Sequence, residues 1–315
     1  MGRGKASLIV MKINLILTGG TIGSVYNEGL ITPDLSTEYL LINNYIKAYG
    51  DNVKFIIHNP YTILSENLSG DILNQLIEAL REQLKDDSDG IIVAHGTDTL
   101  QYSAVAAAYC LGGDTKPVLF VSANYPLENP LSNGNINFAA AVEFIKQKAG
   151  RGVYVSYSND LKSVDFHYPT HLLRHGEYDH RIFSLNGVYA EYKDGVISFN
   201  ENADKKQQIT ACHKKFSNTC SILNITVSPF EEYNYSLSGI KAIIFTPYHS
   251  GTLNTNSCQF KEFCQKAKQK SVPMFVTGVV AGGEYQSMKS YEELNIFPVY
   301  NLPSIALLVK LWLEN

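Results

Sequence analysis

The 315-residue chain carries 26 Lys and Arg against 30 Asp and Glu, a net charge of −4, with 45% hydrophobic residues. This is globular material sufficient for about two ordinary domains. The charge balance gives no electrostatic footprint for nucleic acid or an anionic membrane surface, and no apolar run approaches a bilayer span. Cys110, Cys212, Cys220, Cys258 and Cys264 follow neither a paired framework nor a zinc spacing. They are expected as reduced thiols in a cytoplasm, with no metal and no cofactor.

At the N-terminus Arg3 and Lys5 precede Ala6 to Val10, the outline of a short export leader. The apolar stretch then continues through Met11 into the first strand, which cleavage would damage, so export is not expected and residues 1–10 read as an extension ahead of Met11. Ile13 to Leu17 form a buried run that stops at Gly19-Gly20, with Thr18 and Thr21 on either side. Such a run reads as a central strand of a parallel sheet, and open α/β sheets bind ligands at the carboxyl ends of their strands. The glycines let the backbone bend and let a substrate reach bare N–H groups. A hydroxyl beside amide donors suits acyl transfer, although a Gly-Gly bend taken alone is simply a tight turn.

Residues 23–35 read as a polar, turn-rich loop suited to a lid, with Tyr26 as its only tyrosine. A helix over 35–49 and a strand over Val53 to Ile57 follow. Ser69 is placed as an N-cap, with Leu73, Leu76, Ile77, Leu80 and Leu84 spaced as one apolar helical face. Just ahead of it, Ser65 and Glu66 either hold the polar ends of an amino acid or form a capping turn. Gly90 to Ala94 repeats the first design: a buried strand entering a glycine bend, His95-Gly96-Thr97-Asp98-Thr99. The helix Leu100 to Leu111 after it stops at Gly112-Gly113. A strand over Lys116 to Ala123, a loop to Asn135, a helix to about Lys148 and a strand over Gly152 to Tyr157 continue the alternation expected of a doubly wound sheet.

From 158 to 205 the pattern breaks. His167, His171, His175 and His180 gather there, but Tyr168-Pro169 and Gly176 interrupt any helix that would align them. A polar excursion over the sheet is expected rather than a metal site. Val188 to Tyr192 and Val196 to Asn200 read as a hairpin. The predicted fold class is α/β: a larger N-terminal, mainly parallel domain over 11–201, a linker over 202–215, and a smaller α/β domain over 216–315. The smaller domain's strands fall at Ile222 to Val227, Ala242 to Thr246, Met274 to Gly278 and Phe297 to Tyr300, with helices near 230–238, 256–269, 287–294 and 303–313.

Thr18-Gly19-Gly20-Thr21-Ile22-Gly23 and His95-Gly96-Thr97-Asp98-Thr99 resemble the two signature motifs of the bacterial-type L-asparaginase family, closer to its cytoplasmic branch. The resemblance extends to Val118 through Pro126. It implies an amidohydrolase acting on the side-chain amide of L-asparagine, or of L-glutamine, with Thr21 forming an acyl-enzyme and Thr97 orienting the attacking group. It further implies that Asp98 orients the base or holds the substrate ammonium, with Ser65 and Glu66 as substrate contacts. The N–H groups of Gly20, Gly96 and Thr97 would stabilise the oxyanion, and the Ala123 carbonyl would fix the leaving amide. A homodimer or homotetramer is implied, with Asn254 and Glu284 as candidates to reach a partner's site. A glutamyl-tRNA amidotransferase subunit of the broader family carries an added N-terminal domain, which is not expected here, and neither is tRNA.

Two positions depart from the family. Leu30 stands where the loop tyrosine belongs, leaving Tyr26 to fill that role. His171, following Thr170, stands at the family lysine, with Lys162 and Arg174 nearby. A neutral imidazole serves as a base near pH 7, whereas arginine does not. The alternatives are an amidohydrolase of different substrate and an amino-acid-binding protein with little turnover.

Overall fold

A computed structural model describes residues 11–27, 30–33, 36–201, 209–283 and 285–315, the side chains of residues 26, 27, 31–33 and 36–38 excepted. The strands are β1 (Met11–Leu17), β2 (Ser24–Asn27), β3 (Leu30–Pro33), β4 (Val53–His58), β5 (Gly90–Ala94), β6 (Val118–Val121), β7 (Val153–Tyr157), β8 (Val164–His167), β9 (Ala190–Lys193), β10 (Val196–Phe199), β11 (Ile222–Thr226), β12 (Ala242–Thr246), β13 (Met274–Val276) and β14 (Ile296–Pro298). The helices are α1 (Ser36–Tyr49), α2 (Gly70–Gln83), α3 (Leu100–Leu111), α4 (Gly134–Lys146), α5 (Cys258–Gln269), α6 (Gln286–Lys289) and α7 (Ser304–Glu314).

Among the described residues the large sheet runs β10-β9-β8-β7-β6-β5-β1-β4, and a second sheet runs β11-β12-β13-β14. β4, β1, β5, β6 and β7 are parallel, while β8, β9 and β10 extend that sheet antiparallel. The apolar runs of β1, β5 and β6 are buried on both faces because helices cover both. Leu73, Leu76 and Ile77 of α2 pack with α3 on one face; Leu41 and Tyr45 of α1 pack with α4 on the other. Ser69 caps α2 as expected, its hydroxyl accepting from the Ile72 N–H at 3.3 Å.

The two sheets share a helix. Ile305, Ala306, Val309 and Leu313 of α7 join the α2–α3 layer, whereas Leu307 packs with Ile222, Ala242 and Ile244 of the small sheet. Phe216 is clasped at its backbone by the Asn74 amide, which donates to its carbonyl at 2.8 Å and accepts from its N–H at 2.9 Å.

Four expectations are corrected. The stretch read as a polar loop at 23–35 contains the hairpin β2–β3, since Val25, Tyr26, Ile31 and Thr32 are strand formers flanking Glu28-Gly29. The excursion after β7 begins with the strand β8, whose alternating Val164 and Phe166 are buried. No helix covers 230–238: Tyr233 takes a left-handed φ of 55°, and Tyr233 and Leu237 anchor an irregular segment in the small core. The helix near 287–294 is only the four residues of α6 before the chain turns. Residues 1–10 and Glu284 lie outside the described residues.

A buried asparagine framework fixes the ends of β6 and β7. The side chain of Asn137 is fully buried; it donates to the Ser122 carbonyl at 2.9 Å and accepts from the Ser158 N–H at 2.7 Å. Asn133 and Asn124 exchange side-chain and backbone bonds, and Asn133 also donates to the Ser158 carbonyl. Asn137→Ala strands one buried donor and one buried acceptor, so a loss of about 2–5 kcal/mol is expected in chemical denaturation.

Candidate active site

The two threonine bends lie side by side because β1 and β5 are neighbours in the sheet. The chain leaves β1 toward β4 on one side and returns to β5 on the other. A crevice therefore opens at this reversal, the place where open α/β sheets bind ligands. The bends touch through their backbones: a methyl group on Gly20 would sit 2.1 Å from the Gly96 Cα and 2.5 Å from its nitrogen. Gly20 also adopts φ of 77°, which side chains rarely tolerate. A methyl on Gly96 would in turn meet the Ser65 Cβ at 2.4 Å, so a third loop closes behind the pair.

Thr18 belongs to this framework. Its hydroxyl donates to the Ala94 carbonyl at 3.0 Å and is buried. Its carbonyl accepts from the Ile63 N–H, and the Gly20 N–H donates to the Ile63 carbonyl. His95 is also structural: its ring pairs with the Gly96 carbonyl at 2.8 Å, and burial pushes its pKa down to about 4. Thr21 and Thr97 remain accessible at the crevice. They line a cavity of about 330 Å³ together with Asp98, with Ala123 and Asn124 beyond β6, and with His175, Gly176, Tyr178, Asp179 and His180 from the excursion. The Thr97 hydroxyl donates to the Ala123 carbonyl at 2.9 Å.

The family model described as Asparaginase, N-terminal matches residues 12–170, that is 159 of the 315. The chain belongs to the asparaginase family. A glutamyl-tRNA(Gln) amidotransferase subunit from Metallosphaera sedula is 32% identical over 197 residues, 62% of this chain and 42% of that protein, so the match spans less than half of that relative. Its counterpart from Sulfurisphaera tokodaii is 26% identical over 321 residues, 96% of this chain and 70% of that protein. The thermostable L-asparaginase from Thermococcus kodakarensis superposes with a TM-score of 0.74 at 20% identity, covering 96% of this chain and 92% of that one. That likeness shows the asparaginase fold.

Within this asparaginase-family pocket the expected residues separate. Thr21, Thr97, Asp98 and Ala123 meet at the cavity. Gly20 and Gly96 stand behind them, and the Gly20 N–H is committed to Ile63. Ser65 is buried, its hydroxyl 3.4 Å from the Asp98 carboxylate; Glu66 is exposed and not among the lining residues. Tyr26 lies on β2, with its side chain outside the described residues.

His171 does not line the cavity. It sits in a short 3-10 turn at Pro169–His171, only 3% exposed, with its ring edge-on to Tyr168. Pro169 and the following Leu172, which is drawn into the core, turn this stretch inward. The histidines that do reach the cavity are His175 and His180, two of the four that sequence gathered on the excursion. Asp179 and Tyr178 accompany them, and sequence spacing did not single these out. Arg181 grips the Asp179 carboxylate through paired bonds of 2.9 Å, which hold its pKa down to about 2. Among the described residues, no group of three or more His, Cys, Asp or Glu is placed to hold a metal ion.

Two outcomes test this geometry. Gly20→Ala drives a methyl into the Gly96 backbone, so a loss on the order of 3–5 kcal/mol is expected in urea denaturation, together with loss of any activity. His95, depressed below the unfolded histidine value of 6.5, contributes stability that is full above pH 6.5 and lost as pH falls toward about 4. In histidine-labelled NMR its ring is expected to stay neutral from pH 8 to 5; titration near 6.5 would contradict its burial.

Proposed function

We propose that the chain is an amidohydrolase that releases ammonia from the side-chain amide of a small amino acid, with Thr21 as the nucleophile. The observation that carries this reading is the cavity itself, where two accessible threonines and two carboxylates, Asp98 and Asp179, line a space sized for an amino acid. Thr21 attacks the amide carbon, and Thr97 orients the groups around it. The N–H groups of Gly96 and Thr97 serve the oxyanion, since that of Gly20 is engaged. Asp98 and the ionised Asp179 supply negative charge for a substrate ammonium.

L-Asparagine is the first substrate to test, following the family resemblance. L-Glutamine is the second, favoured by a specific observation: relatives matching 96% of this chain are named as amidotransferase subunits. A pocket that binds without turnover is the third reading, because His171 does not line the cavity. A homodimer or homotetramer in the cytoplasm belongs to the same proposal. The oligomer follows the family resemblance; all five cysteines are unpaired, and among the described residues no helix is long and apolar enough to cross a membrane.

Ammonia release measured with L-asparagine and L-glutamine separates these readings. Thr21→Ala is expected to abolish release and Thr21→Ser to retain part of it. A pocket without turnover would instead raise the unfolding temperature with aspartate or glutamate while releasing no ammonia.

A further inference from the structure

We infer that His175 is the general base of this pocket, taking the proton from the water that attacks the acyl-Thr21 ester. The inference rests on the amidohydrolase reading above and supplies the base that His171, buried and not lining the cavity, does not.

His175 lines the same cavity as Thr21 and Thr97. Its ring is half-buried, and both of its nitrogens are shut off from solvent without a hydrogen-bond partner among the described residues. An unpartnered imidazole is costly to maintain, and its presence at a substrate cavity points to a partner brought by the reaction. The loop presenting it is tied at both ends. Leu173 donates its N–H to the Phe183 carbonyl at 2.9 Å, and Tyr157 donates its hydroxyl to the His180 carbonyl at 2.6 Å. Asn159 exchanges two bonds with the backbone of Ile182. The titratable groups around His175 are Asp98 from the second bend and Tyr178, Asp179 and His180 from its own loop. Asp179, kept ionised by Arg181, is close enough to feel the His175 charge and stabilises the imidazolium once it forms.

The Thr97 contact assigns the step. Its hydroxyl proton is committed to the Ala123 carbonyl at 2.9 Å, so its oxygen can only accept. In the first half-reaction the Thr21 oxygen bonds to the amide carbon, the C–N bond breaks, and the Thr21 proton leaves on nitrogen as ammonia. In the second, rotation of the half-buried His175 ring brings one nitrogen to the cavity, and a water donates one hydrogen bond to the Thr97 oxygen and one to that nitrogen. His175 takes the latter proton as the water oxygen bonds to the ester carbon. The C–Oγ bond then breaks, and the proton passes from His175 to the Thr21 oxygen, leaving the free acid.

The test is steady-state and pre-steady-state ammonia release by the full chain, with L-asparagine and L-glutamine, for wild type, His175→Gln, Lys162→Ala and Thr21→Ala. His175→Gln is expected to lower kcat by roughly 10²–10⁴-fold, to keep a burst of one ammonia per chain, and to accumulate an acyl adduct by intact mass that Thr21→Ala cannot form. His175→Ala is expected to recover part of its rate with added imidazole, and Lys162→Ala, at an exposed position, to match wild type. An active wild type whose kcat survives His175→Gln overturns this inference alone, as does loss of kcat without burst or adduct. A wild type releasing no ammonia from either amide overturns the amidohydrolase reading, and the inference with it.

Discussion

The site depends on one contact, the backbone of Gly20 pressed against the backbone of Gly96. Nothing larger than a hydrogen fits between them, so the two bends approach more closely than any side-chain packing would allow. That approach follows from topology. Strands β1 and β5 are adjacent yet lead in opposite directions along the sheet, so their loops diverge above the crevice while their bends stay in contact. Thr21 and Thr97 stand on the open side, and Thr18 and His95 close the other side with satisfied polar bonds. The hydroxyls destined for structure and those left accessible are thus sorted by which side of the glycine contact they occupy.

A second constraint holds the far wall. Ala123 offers its carbonyl to Thr97 only because the chain after β6 is pinned by Asn133 and Asn137. Both asparagines are buried and bond to backbone groups, the arrangement in which a polar core residue specifies a single geometry. Glycine permits the close approach at one wall; buried amides enforce position at the other. The cavity between them requires both.

Much of this was legible in the sequence, for identifiable reasons. Buried strands such as Ile91 to Ala94 announce themselves by unbroken apolar character, and the cap at Ser69 by its place ahead of a helical stripe. The threonine bends stand out because one design, a buried strand entering a glycine bend that carries hydroxyls, occurs twice and resembles two signature motifs of one family. β2, β3 and β8 do not stand out because their strand-forming residues lie among polar and turn-forming neighbours, whereas β6, of the same length, is an unbroken apolar run. The irregular segment around Tyr233 read as a helix because a left-handed residue there is chosen by packing against Phe260 and Phe263, not by local propensity. His171 was chosen by its position after Thr170; Leu172, drawn into the core, turned that stretch inward. No spacing rule carries information about such a reversal.

The two halves of the pocket therefore have different physical origins. The threonines sit on bends fixed by adjacent parallel strands, whereas His175, Asp179 and His180 sit on a loop held by bonds at its ends and by the Asp179–Arg181 pair. A loop so held keeps its ends in place while its middle residues remain free to differ. On the proposed reading, nucleophilic chemistry, which tolerates little displacement, falls to the rigid half. On the same reading the groups proposed to accept a proton or face the substrate's charge fall to the loop. On the proposed reading the excursion needs only to place one imidazole over a framework already set by Gly20 and Gly96.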